Sequence, residues 1–162
     1  MQKEKWNNII RQFSPTSLLQ TWEWGDIKSR YGWQVDYKTW EDARGKVAAA
    51  ALILQRELTI PVLGTKLKIL YVPKGPLLDW HSDIREKVLA DLKDYAQKAG
   101  AVFIKIDPEL VTARSIAGRE DYQPQADARE IIHGMQEDGW LISKQQIQFK
   151  NTFLIHLDKS ED

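Results

Sequence analysis

The chain contains no cysteine, so disulfides, thiolate metal sites and cysteine nucleophiles are excluded. Histidine is scarce. His81, His133 and His156 lie far apart without ligand spacing, so no zinc site is expected. No pattern calls for another metal or a cofactor. Neither sign of charge dominates: 23 Lys plus Arg balance 23 Asp plus Glu. The global basic excess usual in nucleic-acid binders is therefore missing. Long hydrophobic runs are also missing. The longest, Val47 to Leu54, has eight residues, against roughly 20 for a membrane span. The start, Met1-Gln-Lys-Glu-Lys-Trp6, lacks the apolar stretch of a signal peptide. A soluble, cytoplasmic protein is the expectation. Phosphate-loop, nucleophile-elbow, zinc-protease and dinucleotide fingerprints are all absent from the sequence.

What is present suits one domain spanning 1–162: hydrophobic residues make up 43% of 162 positions, enough for a sizeable core. Trp6, Ile9, Ile10 and Phe13 stand at helical spacing, predicting a helix over Lys3 to Phe13 that Ser14-Pro15 breaks. Ser17 and Gln20 have capping-box spacing, predicting a helix to Tyr31 with Gly32 just beyond it. Trp33 to Trp40, Val47 to Leu54 and Lys66 to Val72 read as strands. The middle one extends through Arg56 to Ile60. Their connections are too short for crossovers, so they form an antiparallel meander. Ile84, Val88, Leu92, Tyr95 and Ala99 mark a helix with Ser82 as its N-cap and Gly100 as its stop. Ala101 to Asp107 is a strand, Glu109 to Pro124 a loop with one helical turn at most, Ala126 to Asp138 a helix and Asn151 to Leu157 a last strand. The fold class is α/β (α+β): a mixed sheet with an antiparallel meander, covered by helices, as in acetyltransferase (GNAT-like) architectures.

Three local features carry polar residues in suggestive places. In Leu18-Leu-Gln-Thr-Trp-Glu-Trp-Gly-Asp-Ile-Lys28, Lys28 follows Trp24 by one turn. Residue types alone favour an amphipathic helix with core tryptophans and a solvated lysine, since most helix lysines only snorkel. Val72-Pro-Lys-Gly-Pro-Leu-Leu-Asp79 is a rigid strand-to-helix connection or a ligand loop. In Phe103-Ile-Lys-Ile-Asp-Pro-Glu109, Asp107 either caps a turn begun by Pro108 or stands at the carboxyl end of a strand, where open α/β sheets bind ligands.

Taken together and in this order, the features resemble the FemABX family of peptidoglycan interpeptide-bridge aminoacyltransferases. The family's Gln-x-x-x-Trp-x-x-x-Lys helix matches Gln20, Trp24 and Lys28. Its Pro-x-Gly-Pro segment matches Pro73, Gly75 and Pro76, and its Asp-Pro-Glu matches Asp107, Pro108 and Glu109. The tail from Phe149 to Leu157 is similar to the family's Asn-Thr-x-x-Ile-Asp-Leu strand, with His156 at the acidic position. The resemblance implies two GNAT-like lobes, of which this chain is the N-terminal one, truncated relative to the family and lacking a C-terminal lobe. It implies transfer of an amino acid from aminoacyl-tRNA to an amine on a nucleotide- or lipid-linked peptidoglycan precursor. It makes Lys28 the diphosphate partner, with Trp24 and Gly75 as further substrate-binding positions. Asp107 is the one carboxylate nominated as catalytic base.

Two rivals stand beside this reading. An acyl-CoA-dependent N-acetyltransferase needs a glycine-rich pyrophosphate turn before a helix. The turn here has one glycine, and Pro76 has no amide to donate. A non-catalytic interaction domain of the same fold binds no precursor. The isolated lobe is expected to unfold cooperatively and not to catalyse. Trp22, Trp24, Trp33, Trp40 and Trp80 are too many to assume all buried, so self-association is expected.

Overall fold

A computed structural model describes residues 1–60, 64–115, 122–149 and 151–152. The chain forms two compact units, Met1–Val111 and Thr112–Asp162.

In the first unit, β1 (Gln34–Glu41), β2 (Val47–Ile60) and β3 (Thr65–Val72) form the antiparallel meander. A crossover through α3 (Ile84–Lys98) places β5 (Ala101–Ile106) parallel to β3. A two-residue strand, β4 (Leu77–Leu78), pairs with Ala50 and Ala49 of β2. The sheet order is β1-β2-β3-β5, so the mixed α/β architecture is as the pattern predicts.

The sheet is covered on both faces, which explains why β2 carries an unbroken apolar run instead of an alternation. Ala49 through Leu54 are all fully buried. Ala49, Ala51 and Ile53 pack with Val88 and Leu92 of α3. Ala50, Leu52 and Leu54 pack with Trp6, Ile9 and Ile10 of α1 (Lys3–Ile10). Successive side chains of a strand point to opposite faces, so one strand serves two cores. On the α3 side, the Tyr95 hydroxyl donates to Asp36 (2.8 Å) and accepts from the Gln55 amide (2.7 Å). Burial, reinforced by Asp36, pushes that hydroxyl above its ordinary range, so it stays a donor.

On the other side, α2 (Trp22–Arg30) lies against β1 and β2. Gly25 permits this approach: a Cβ there would run into the Tyr37 hydroxyl and press on Val35. Tyr37 is itself fixed, stacked on Trp22 with centroids 4.5 Å apart and tilted against Trp6.

Several boundaries differ from the sequence reading. The helix predicted from Ser17 to Tyr31 is two elements: a 3-10 turn, Leu18–Gln20, and α2. Ser17 caps only the turn, and Thr21 caps α2 through a bond from the Trp24 amide (3.2 Å). No capping box forms, because the Gln20 side chain is committed to the core. Before α3 the N-cap is Asp83, not Ser82, whose hydroxyl donates to the Asp79 carbonyl. The expected loop from Glu109 contains β6 (Ala113–Arg114) paired with β7 (Gln123–Pro124). Of the five tryptophans in question, Trp40 is buried and the other four are half-buried.

In the second unit, α4 (Ala126–Glu137) buries Ala128 and Ile131 and ends before Gly139, whose φ of 85° suits glycine. The strand expected at Asn151 to Leu157 falls largely outside the described residues; 151–152 carry no regular structure. No described helix is long and apolar enough to cross a membrane.

Candidate functional site

The site grows from a break in the sheet. β3 leaves β2 after Tyr71 pairs with Leu54, and β4 rejoins β2 at Ala50. Between them, Pro73 to Pro76 form a loop off the β2 ladder. The detour deprives Leu52 of a strand partner for its N–H and turns the Pro73 carbonyl inward. A buried orphan of either kind costs free energy comparable to a lost hydrogen bond. Gln20 supplies both missing partners. Its Oε1 accepts from the Leu52 amide (2.7 Å) and its Nε2 donates to the Pro73 carbonyl (2.5 Å). Gln20 is fully buried, and its own carbonyl accepts from the Trp6 indole (2.8 Å). One primary amide therefore acts as a peptide group inserted between β2 and the loop.

The loop is also tied to the end of β5. The Asp107 amide donates to the carbonyls of Val72 and Gly75, each at 3.2 Å. The Asp107 carboxylate accepts from the Tyr71 hydroxyl through Oδ2 (3.3 Å). Lys74 Nζ meets Glu109 Oε1 at 3.3 Å. Gly75 is buried, and a Cβ on it would come within 2.7 Å of Gln20 Nε2, so glycine is required there by packing.

Lys28 and Trp24 form the other part of the site. The Lys28 ammonium lies 4.8 Å from the centre of the Trp24 ring, within cation–π range. Both side chains are half-buried. The acids of α2 are engaged elsewhere: Glu23 with Lys3 (2.9 Å) and Asp26 with Arg30 (2.6 Å). Among the described residues, Lys28 has no carboxylate partner, and the shielded Trp24 indole N–H has no hydrogen-bond acceptor. The structure thus brings Trp24 to Lys28 and Gly75 to Asp107. Among the described residues no hydrogen bond, ion pair or ring contact joins the two pairs directly. Their link is Gln20, which precedes α2 and grips the loop. Tyr71 and Lys74 were not singled out from sequence. Tyr71 reads there as one more alternating strand residue, and Lys74 is marked only by its place in the Pro-Lys-Gly-Pro segment.

The Glu23 carboxyl is held down at about 2, first by the hydrogen bond from Lys3, then by that from Asn7. A depressed carboxyl stabilises the fold above its ordinary value and loses that contribution as pH falls. The wild-type melting temperature is therefore expected to fall more steeply than that of Glu23→Gln as pH drops from 4.5 towards about 2. Parallel thermal melts across that window check it. Identical slopes would show that the α1–α2 clasp contributes nothing.

The described residues hold no cluster of His, Asp and Glu fit for a metal ion. Among curated proteins none matches the chain. The crystal structure of FemX shares the fold with a TM-score of 0.62 at 20% identity, over 83% of this chain and 30% of FemX. This chain thus spans less than a third of FemX's length. A Trypanosoma brucei acetyltransferase shares the fold at a TM-score of 0.52 and 11% identity, over 93% of this chain and 96% of that one. The FemAB family matches residues 1–160, and the chain belongs to the FemAB family.

Proposed function

We propose that this chain is the precursor-binding lobe of an aminoacyltransferase that extends a peptidoglycan stem with an amino acid drawn from aminoacyl-tRNA. The observation that carries the reading is the half-buried Lys28 ammonium, laid on Trp24 without an acidic partner among the described residues. A cation so placed suits a phosphate as a point-charge partner. In the reaction, the precursor amine attacks the aminoacyl ester carbonyl. A C–N bond forms, the ester C–O bond breaks, and the ribosyl oxygen leaves with a proton. Asp107 is the proposed acceptor of the amine's proton. Tyr71 holds its Oδ2, and among the described residues Oδ1 accepts no hydrogen bond. Holding both substrates in line contributes much of the acceleration. A second lobe completes the cleft.

The loop disfavours acyl-CoA as donor. A pyrophosphate needs amide donors, Pro73 and Pro76 have none, and β4 separates the loop from the start of α3 at Ile84. Calorimetric titration separates the readings. Heat of binding is expected with a nucleotide-linked peptidoglycan precursor and none with acetyl-CoA; the reverse pattern would replace this proposal with an acetyltransferase.

The isolated chain is also expected to self-associate. Leu18 (70%) and Tyr31 (72%) in the first unit, and Leu141 (92%) and Phe149 (90%) in the second, are highly exposed, and pairing such side chains between copies removes apolar surface from water. Sedimentation velocity is expected to show a concentration-dependent coefficient. A constant monomer value would contradict this.

A further inference from the structure

We propose that the Lys74–Glu109 ion pair is a positioning device for Asp107; its catalytic consequence rests on the transfer reaction proposed above. Three observations converge on it. Lys74 has a φ of 47°, in the left-handed region that non-glycine residues seldom occupy. A lysine is held there, although glycine would adopt that backbone without strain. The conformation sends its side chain to Glu109, and the pair is largely shielded, with side-chain exposures of 20% and 34%. Shielding makes an ion pair less sensitive to salt than an open surface pair.

The third observation is what the pair encloses. Lys74 sits between the two carbonyls that receive the Asp107 amide, those of Val72 and Gly75, and Glu109 stands two residues after Asp107. The pair therefore closes a ring formed by the loop, the Asp107 amide and the Asp-Pro-Glu segment. The Asp107 side chain accepts from the Tyr71 hydroxyl. Fixing the backbone on both sides of Asp107 fixes the direction of its Cα–Cβ bond, and the Tyr71 hydroxyl then holds the carboxylate. Neither Lys74 nor Glu109 touches the reacting atoms in this scheme. They act through Asp107.

The test begins without substrate. Amide hydrogen exchange at Asp107 is compared in the wild type, Lys74→Arg, Lys74→Gly and Glu109→Gln. Glycine keeps the left-handed backbone and removes the ammonium, so it separates conformation from charge. Protection at Asp107 is expected to fall about tenfold in Lys74→Gly and Glu109→Gln and to survive in Lys74→Arg, with Ile104 and Ile106 unchanged. Unchanged protection at Asp107 in the glycine and glutamine variants overturns the proposal. So does a loss spread evenly along β5, which marks general loosening. In the complete enzyme, Lys74→Gly is expected to lower kcat about tenfold at unchanged KM for the precursor, with Lys74→Arg restoring it. A rise in KM alone overturns the positioning role in catalysis. Absence of transfer by the wild type would reject the proposed reaction, while the exchange result still decides whether the pair positions Asp107.

Discussion

Gln20→Ala is expected to lower the unfolding free energy of this chain by about 2–4 kcal/mol. The substitution removes no large apolar surface. It leaves the Leu52 N–H and the Pro73 carbonyl unpaired inside the protein, and each buried orphan costs roughly 1–3 kcal/mol. A melting temperature lower by roughly 5–15 °C follows for a chain of this size. Gln20→Glu is the sharper variant. Its carboxylate still accepts from Leu52 but faces the Pro73 carbonyl acceptor to acceptor. It is therefore expected to be less stable at neutral pH than in mild acid, where protonation returns a donor. Thermal melts at two pH values check both. A melting temperature within about 2 °C of wild type for Gln20→Ala would show that water or a local shift replaces the amide.

The same residue shows where the sequence is legible and where it stops. The meander, the α3 crossover and the parallel β5 follow from periodicity, because each element has one or two faces that must be apolar. The apolar run from Val47 to Leu54 is recognisable as a strand buried on both faces. Gln20 is not recognisable in this way. Three residues after Ser17 it has capping-box spacing, and local chemistry predicts a bond back along the helix. The competing demand is tertiary: a break in the β2–β3 ladder, more than 30 residues away, needs a donor and an acceptor together. No local pattern encodes that need. β4 escapes for a related reason, since two residues have no periodicity and pair only because the loop returns the chain to β2. The pairing of Lys28 with Trp24 is local, one helical turn, and its spacing is visible in sequence. That Glu23 and Asp26 are drawn away by Lys3 and Arg30 depends partly on α1, which the spacing within α2 does not reveal.

The Lys28 assignment carries the largest functional effect. The ammonium is held against Trp24 at 4.8 Å, a contact worth roughly 0.5–1 kcal/mol at an exposed site. A charge-assisted hydrogen bond to phosphate contributes roughly 1.5–3 kcal/mol, or about tenfold to a hundredfold in affinity. Lys28→Ala in the complete enzyme is therefore expected to weaken precursor binding by that factor and to lower the unfolding free energy by no more than about 1 kcal/mol. Lys28→Arg is expected to restore only part of it, because a planar guanidinium does not reach as a point charge does. If Lys28 were merely a solvated helix residue, alanine would change neither binding nor stability beyond about 0.5 kcal/mol. Calorimetric titration of a nucleotide-linked peptidoglycan precursor into wild type and Lys28→Ala is the direct measurement. A dissociation constant at least about tenfold larger is expected for the variant, with stability lowered by no more than about 1 kcal/mol; equal constants would contradict the assignment of Lys28 to phosphate.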